Sequence, residues 1–301
     1  NSEIFKKLLG KKDTEIVCLT AFINFYLIIL LILKIKKFNQ INYYSEAIKL
    51  VDPIIIITSI DTNPNFYRLK KYFPKKKFIS IQNGIRQPQS GNFKKVKNLE
   101  CDIIFCNGLN DINYYKSRVS SEILPLGSLR NNFIANYKST QINCLSYISQ
   151  FRIKNENEDN INFLGDYSNI TWKDYIESEK KLIILLNKFC KEKNMPFYIV
   201  GASYNSSIEK KWYLDLIKAN KINFINRKKF DTSYKFLQKS KYIVCMDSTL
   251  GYEFFARGKK IIFFSRKIKK AKKLNNEMKF GWPFIKKTKG FFYSDKVTEE
   301  E

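Results

Sequence analysis

The sequence predicts an α/β protein built as two doubly wound domains facing a cleft, and three observations carry that expectation. Short apolar runs of strand length, without polar alternation, recur along the 301 residues, as parallel strands buried on both faces require. Between them lie segments that open on Ser, Thr, Asp, Asn or Pro and close on Gly, the start and stop signals of helices. The alternation halts in a polar stretch, 136–141, and then begins again. The expected domains are therefore 1–138 and 139–301.

Residues 16–33 carry no formal charge, which is the length of a membrane span. Asn24 interrupts them, and 16–20 reads as a strand feeding a helix from 21 to 37, so a buried strand–helix unit is preferred to a span. The chain starts at Asn1 rather than Met and shows no secretory signal, which reads as a fragment or a partial reading frame. Residues 53–57 form the next strand, followed by a loop and a helix with Pro64 in its first turn. A strand at 77–81 ends in Gln82, Asn83 and Gly84. Another at 102–106 precedes a helix opened near 107–110, and a short run at 123–126 turns through Gly127 and Ser128 into a helix.

In the second half, 143–149 is a strand and 151–167 a long loop containing the acidic, Asn-rich stretch 155–160. Apolar spacing through Tyr175, Leu182, Leu185, Leu186 and Phe189 predicts a helix over 172–193. Residues 197–200 form a strand closed by Gly201, Ala202 and Ser203. A helix at 208–219, a strand at 223–226 and a helix at 232–239 follow. The segment 241–265, KYIVCMDSTLGYEFFARGKKIIFFS, is a βαβ unit. Asp247, Ser248 and Thr249 are helix-capping residues and Gly258 is a stop. Hydroxyls and backbone N–H groups at the positive end of a helix dipole are suited to holding a phosphate. Glu253, one turn on and on the face of Thr249, is placed to meet a sugar or ribose hydroxyl. An ordinary capped helix is the competing reading.

The net charge is +26, but only 8 of the 54 basic residues are Arg. Readers of base sequence rely on Arg forks, whereas here Lys is scattered among Ile and Asn, so no nucleic-acid partner is expected. So positive a surface attracts anionic lipid headgroups and nucleotide sugars, and the run from Lys259 to Lys273 reads either as a contact with anionic lipid or as a solvated face. The six cysteines, Cys18, Cys101, Cys106, Cys144, Cys190 and Cys245, form no CxxC pair and read as small buried hydrophobes of a reducing compartment. With no His, acid–base chemistry falls to Asp, Glu, Lys, Tyr or Cys.

The order of the QNG turn, LPLGSLRNN, LSYISQFR and DSTLGYEFFARGKKIIFFS resembles bacterial surface-carbohydrate biosynthesis proteins, of capsule and O-antigen type, which are GT-B glycosyltransferases. The resemblance spans about residues 53–284. It implies two Rossmann-like domains, the first for the acceptor and the second for the nucleotide-sugar donor, with no cofactor and no obligatory metal. It further implies that Ser248, Thr249 and Gly251 contact the donor phosphates and Glu253 a donor hydroxyl. Ser149, Gln150 and Arg152 end the second domain's first strand, with Arg152 facing diphosphate charge or lying simply at the surface. Gly201 and Ser203 leave room for a base or ribose, or merely end a strand.

On the acceptor side, Gln82, Asn83, Gly84, Gly127 and Ser128 line the cleft. Related transferases carry His or Asp near the QNG turn, whereas Asn83 is no base. Asp61, after the 53–57 strand, is then the candidate base, with capping of the Pro64 helix as the alternative. The expected activity is transfer of a sugar from a nucleotide-sugar donor to a surface-polysaccharide or lipid-linked glycan acceptor. The site of action is cytoplasmic and peripheral on the inner membrane. The alternatives are a CDP-glycerol-type glycerophosphotransferase, a nucleotide-sugar 2-epimerase and a basic nucleic-acid-binding protein.

Overall fold

The computed structural model describes residues 4–5, 7, 10, 24–86, 98–134, 139–151, 172–203, 206–219, 221–246, 248–264, 289–290 and 293–294. The chain divides into two compact units, Asn1–Phe133 and Ile134–Glu301. Both are Rossmann-like α/β units with parallel strands.

In the first unit the strands are β1 (Ile55–Thr58), β2 (Lys77–Ile81), β3 (Leu99–Cys106) and β4 (Val119–Pro125). They pair in that order and all parallel, so the described strands step across the sheet in one direction. Between β1 and β2 the helix Pro64–Leu69 opens on Asn63, whose side chain accepts from the Asn65 amide at 3.0 Å, with Pro64 at the first turn. Capping therefore falls to Asn63 and not to Asp61. Tyr67, Phe78, Ile104 and Tyr115 are fully buried and bring the helices Pro64–Leu69 and Leu109–Lys116 onto the sheet. At roughly 1.5–3 kcal/mol for each large apolar side chain fully buried, these residues dominate the unit's packing.

Two helices precede this sheet, Phe25–Leu33 and Gln40–Val51, capped by Asn24 and Asn39. The 16–23 half of the expected strand–helix unit lies outside the described residues. No described helix is long and apolar enough to cross a membrane.

The second unit contains β5 (Ile142–Ile148), β6 (Phe197–Val200), β7 (Asn223–Ile225), β8 (Ser240–Cys245), β9 (Lys260–Phe264), β10 (Lys289–Gly290) and β11 (Tyr293–Ser294). Their order is β10-β11-β9-β8-β5-β6-β7, parallel except for β10 against β11. From β5 the chain steps outward to β6 and β7, then returns to lay β8 on the other side of β5. That reversal makes the sheet doubly wound. Alternate residues of one strand consequently enter different cores. Ile243 and Cys245 pack with Leu237 and Phe254, while Val244 and Met246 pack with Leu182, Ile183 and Tyr213. The helices Thr232–Leu237 and Thr249–Ala256 cover one face, and Trp172–Glu192 and Ser206–Ile217 the other.

One buried charge ties the leading helices together. Glu46, its side chain 1% exposed, accepts from Lys34 Nζ at 2.5 Å, Lys36 Nζ at 2.6 Å and Lys49 Nζ at 3.3 Å. The bonds from Lys34 and then Lys36 hold its carboxyl down at about 2. A carboxyl lowered on folding stabilises above its unfolded value, and that contribution disappears as pH falls from about 4.5 toward 2. Glu46→Gln should therefore lose on the order of 2 kcal/mol at pH 7 and match the parent near pH 2, read by urea unfolding across that range.

Candidate functional site

In an open α/β sheet, ligands bind outside the carboxyl ends of the strands where the winding reverses. Here that point lies between β5 and β8. Two turns border it: Ser149 and Gln150 leave β5, and Ser248 leads from β8 into the helix Thr249–Ala256.

Ser248 is the N-cap of that helix, its Oγ accepting from the Leu250 amide at 3.3 Å. A hydroxyl has one proton and two lone pairs, so capping leaves it able to donate outward. Gly251, expected at the phosphates, has a different role. Its N–H donates to the Ser248 carbonyl at 2.9 Å. A Cβ there would lie 2.7 Å from Cys245 Sγ and 2.9 Å from the Phe263 ring. Glycine is thus what lets this helix lie directly on β8 and β9. Glu253 is buried one turn along, and the Tyr234 hydroxyl donates to its Oε2. The Arg257 guanidinium sits 5.5 Å over the Tyr234 ring and donates to the Ile134 carbonyl at 2.7 Å, so Glu253 is held by a braced tyrosine.

The β5 turn is organised from beneath. Ser149 is buried and directed inward: its Oγ donates to Glu209 at 2.5 Å, accepts from the Phe151 amide at 3.0 Å and lies 2.8 Å from Tyr213 Oη. Its hydroxyl is fully engaged, which corrects its expected place at the donor. The Gln150 amide donates to Glu179 Oε1 at 3.2 Å, an oxygen that also accepts from Tyr147 Oη at 2.8 Å and lies 2.8 Å from Tyr213 Oη, whose one proton goes either to it or to Ser149. Burial raises the carboxyl of Glu179 and the hydroxyl of Tyr213 above their ordinary values.

After β6, Glu209 accepts from the amides of Ala202 and Ser203, both at 2.9 Å. A carboxylate in the first turn of the helix Ser206–Ile217 thus closes the turn that follows β6. Gly201 packs rather than makes room, since a Cβ there would meet the Phe224 ring at 2.8 Å. Ser203 offers the ligand no main-chain donor, its N–H being taken by Glu209.

In the first unit Asp61 is fully buried. Arg86 grips both its oxygens, with Nε to Oδ2 at 2.6 Å and Nη2 to Oδ1. Tyr115 Oη donates to Oδ2 at 2.7 Å and the Asn83 amide to Oδ1 at 3.0 Å. A carboxylate so surrounded is an anchor for the 82–86 turn and is badly placed to receive a proton from an incoming hydroxyl. Gln82 is also turned inward: its Oε1 accepts from the Asn107 amide at 2.8 Å and its Nε2 donates to the Gly84 carbonyl at 2.7 Å. Asn83 keeps an exposed side chain. Gly127 adopts a φ of 83°, the left-handed turn that follows β4, and Ser128 Oγ accepts from the Asn131 amide at 3.3 Å.

Sequence reasoning passed over Asp111. It is buried at the start of the helix Leu109–Lys116, and its Oδ1, like Oδ1 of Asn107, has no hydrogen-bond partner. Burial raises the Asp111 carboxyl, against the bond from Gln82 and the nearby Arg86.

Arg152, Asp247, the acidic stretch 155–160 and residues 266–273 of the basic run lie outside the described residues. Of that run, Lys259 is turned inward, its Nζ donating to the Gln238 carbonyl, and burial lowers its ammonium. A groove of about 460 Å³ opens beside Phe197 and Asn223, at the amino ends of β6 and β7, away from the switch point.

Asp61→Asn should destabilise the first unit by about 3–5 kcal/mol, because it strands Arg86. Urea unfolding checks this, and an Asp61 that served only as a base would leave stability unchanged.

No curated protein sequence matches the chain. Among solved structures it is similar to a "putative UDP-N-acetylglucosamine 2-epimerase" from Listeria monocytogenes, with 12% identity and a TM-score of 0.48 over 74% of this chain and 59% of that one. The chain therefore spans less than two thirds of that protein's length. It is also similar to a UDP-GlcNAc 2-epimerase from Neisseria meningitidis, with 12% identity and a TM-score of 0.44 over 87% and 70% of the two chains. A glycosyltransferase from Rickettsia africae gives 14% identity and a TM-score of 0.38 over 83% and 71%. Likenesses this distant say nothing about activity. Residues 79–301, well over half of the chain, match a family described as "putative O-antigen biosynthesis protein", and the chain belongs to that family.

Proposed function

We propose that this protein transfers a sugar from a nucleotide-sugar donor to a surface-polysaccharide or lipid-linked glycan acceptor, acting from the cytoplasmic side. In this reading the second unit holds the donor and the first unit the acceptor. The observation that carries the reading is the Ser248-capped helix at the switch point, with Glu253 fixed one turn behind it by Tyr234. The geometry suits a ligand with diphosphate at one end and hydroxyls at the other. Ser248, Thr249 and the helix dipole meet the phosphates, and Glu253 accepts from a ribose or sugar hydroxyl. Membership of an O-antigen biosynthesis family supports a glycan product.

The leaving diphosphate is stabilised in this reading by the helix start, without a metal. Asp61 is committed to Arg86, and Asp111 is enclosed in its turn, so neither carboxylate receives the proton of the acceptor hydroxyl as it stands.

The reading is tested first by thermal shift with UDP-, GDP-, CMP- and CDP-linked donors, since a ligand at 100 times its Kd adds about 2.7 kcal/mol. Glu253→Gln and Ser248→Ala should each weaken the binding donor about tenfold or more, with Ser248→Ala also losing about 0.5–2 kcal/mol of stability as a cap. Unchanged affinity in both variants would reduce the motif to a structural cap. Conversion of the donor without any acceptor would replace transfer by epimerisation, and a response to CDP-linked polyols alone would replace it by glycerophosphate transfer.

A further inference from the structure

The helix Phe25–Leu33, FYLIILLIL, contains no charged residue, and Leu27 and Leu31 alone of its side chains are buried. Phe25 (76% exposed), Ile32 (68%) and Leu33 (73%) face water, joined past the helix by Ile35 (95%) and Phe38 (67%). Apolar side chains gathered in this way on a surface mark a contact with something else.

Ile35 supplies a second, independent sign. It ends the helix at a φ of 49°, the left-handed conformation that Gly or Asn ordinarily supplies at this position and that a β-branched residue resists. The turn is locked by Ile35 N–H to the Ile32 carbonyl at 3.0 Å and Lys36 N–H to the Leu31 carbonyl at 2.9 Å. Backbone strain kept to hold an isoleucine almost wholly in water points to a use for that side chain.

Charge identifies the occupant. Lys34, Lys36 and Lys37 border the apolar face. Among the described residues the carboxylate paired with them, Glu46, is shared among Lys34, Lys36 and Lys49, so the border stays positive, within a chain of net charge +26. Nine residues span about 14 Å, half of a hydrocarbon core, so the helix is suited to lying in an interface and not to crossing it.

We propose that Phe25, Ile29, Ile32, Leu33, Ile35 and Phe38 dock the protein on an anionic membrane surface, entering the acyl boundary while Lys34, Lys36 and Lys37 meet headgroup phosphates. This moves the expected membrane contact from the 259–273 run to the first unit. The inference stands apart from the sugar-transfer reading, since vesicle binding and donor binding are measured separately.

The test is co-sedimentation of the full chain with vesicles of phosphatidylglycerol and phosphatidylcholine, or of phosphatidylcholine alone, beside light scattering for oligomeric state. Binding is expected to need the anionic lipid and to weaken with salt. Ile35→Gly should lower vesicle partitioning about tenfold yet raise the thermal midpoint by about 2–4 °C, because it removes the apolar side chain and the strain together. Ile32→Ser with Leu33→Ser should lower partitioning further. The proposal is overturned if no vesicle is bound, if neutral vesicles bind equally well, or if these substitutions leave partitioning unchanged. It is overturned equally by a dimer that the same substitutions dissolve, which would assign the face to a second copy.

Discussion

Carboxylates buried beneath the turns are the interaction on which the rest of this protein depends. Where a strand ends, its last amides leave the ladder and still require acceptors. In the first unit Asp61 supplies one, taking the Asn83 amide while gripping Arg86 and Tyr115. In the second, Glu179 and Glu209 do so for Gln150, Ala202 and Ser203. Each is fully or almost fully buried, and each draws in hydroxyls or a guanidinium as well as backbone. The strands set the direction of the loops, and these three acids set their shape.

The contrast between the turn after β6 and the turn after β8 follows from that constraint. One turn, at Ala202 and Ser203, is closed on an internal anion. The other, at Ser248, uses a neutral hydroxyl as its cap, which accepts from the Leu250 amide and keeps its own proton. The doubly wound order brings the strands that end in both beside β5, and the turns differ in the group that closes them, a carboxylate in one and a hydroxyl in the other.

Much of the scaffold was legible because its signals are local. Strand β2 lies at 77–81 as read, Pro64 opens its helix, and Ser248 caps the one that follows β8. Strand β4 begins at Val119, earlier than the apolar run at 123–126, because it lies at the edge of the described sheet and its first half alternates buried Val119 and half-buried Ser121 with exposed Ser120 and Glu122. Glu179 was within reach of the sequence: it shares the spacing of Leu182, Ile183 and Leu186 on the apolar face of its helix, and a charge in that register is a buried charge. The role of Asp61 was not, since its partners Arg86 and Tyr115 stand 25 and 54 positions away. The purpose of Gly251 was hidden for another reason: Cys245 and Phe263 meet it only once the helix folds back onto β8 and β9.

The turn closed by Glu209 has a thermodynamic consequence. A loop that must fold around its ligand loses conformational freedom at the moment of binding, and affinity falls by that amount. The Ala202–Ser203 turn has already undergone its ordering during folding, with Ser149, Tyr213 and Glu209 fixed as one network. Whatever settles at the carboxyl ends of β5 and β6 meets a floor that is rigid beforehand. Adaptation to different ligands is left to the segments that do not share in this network.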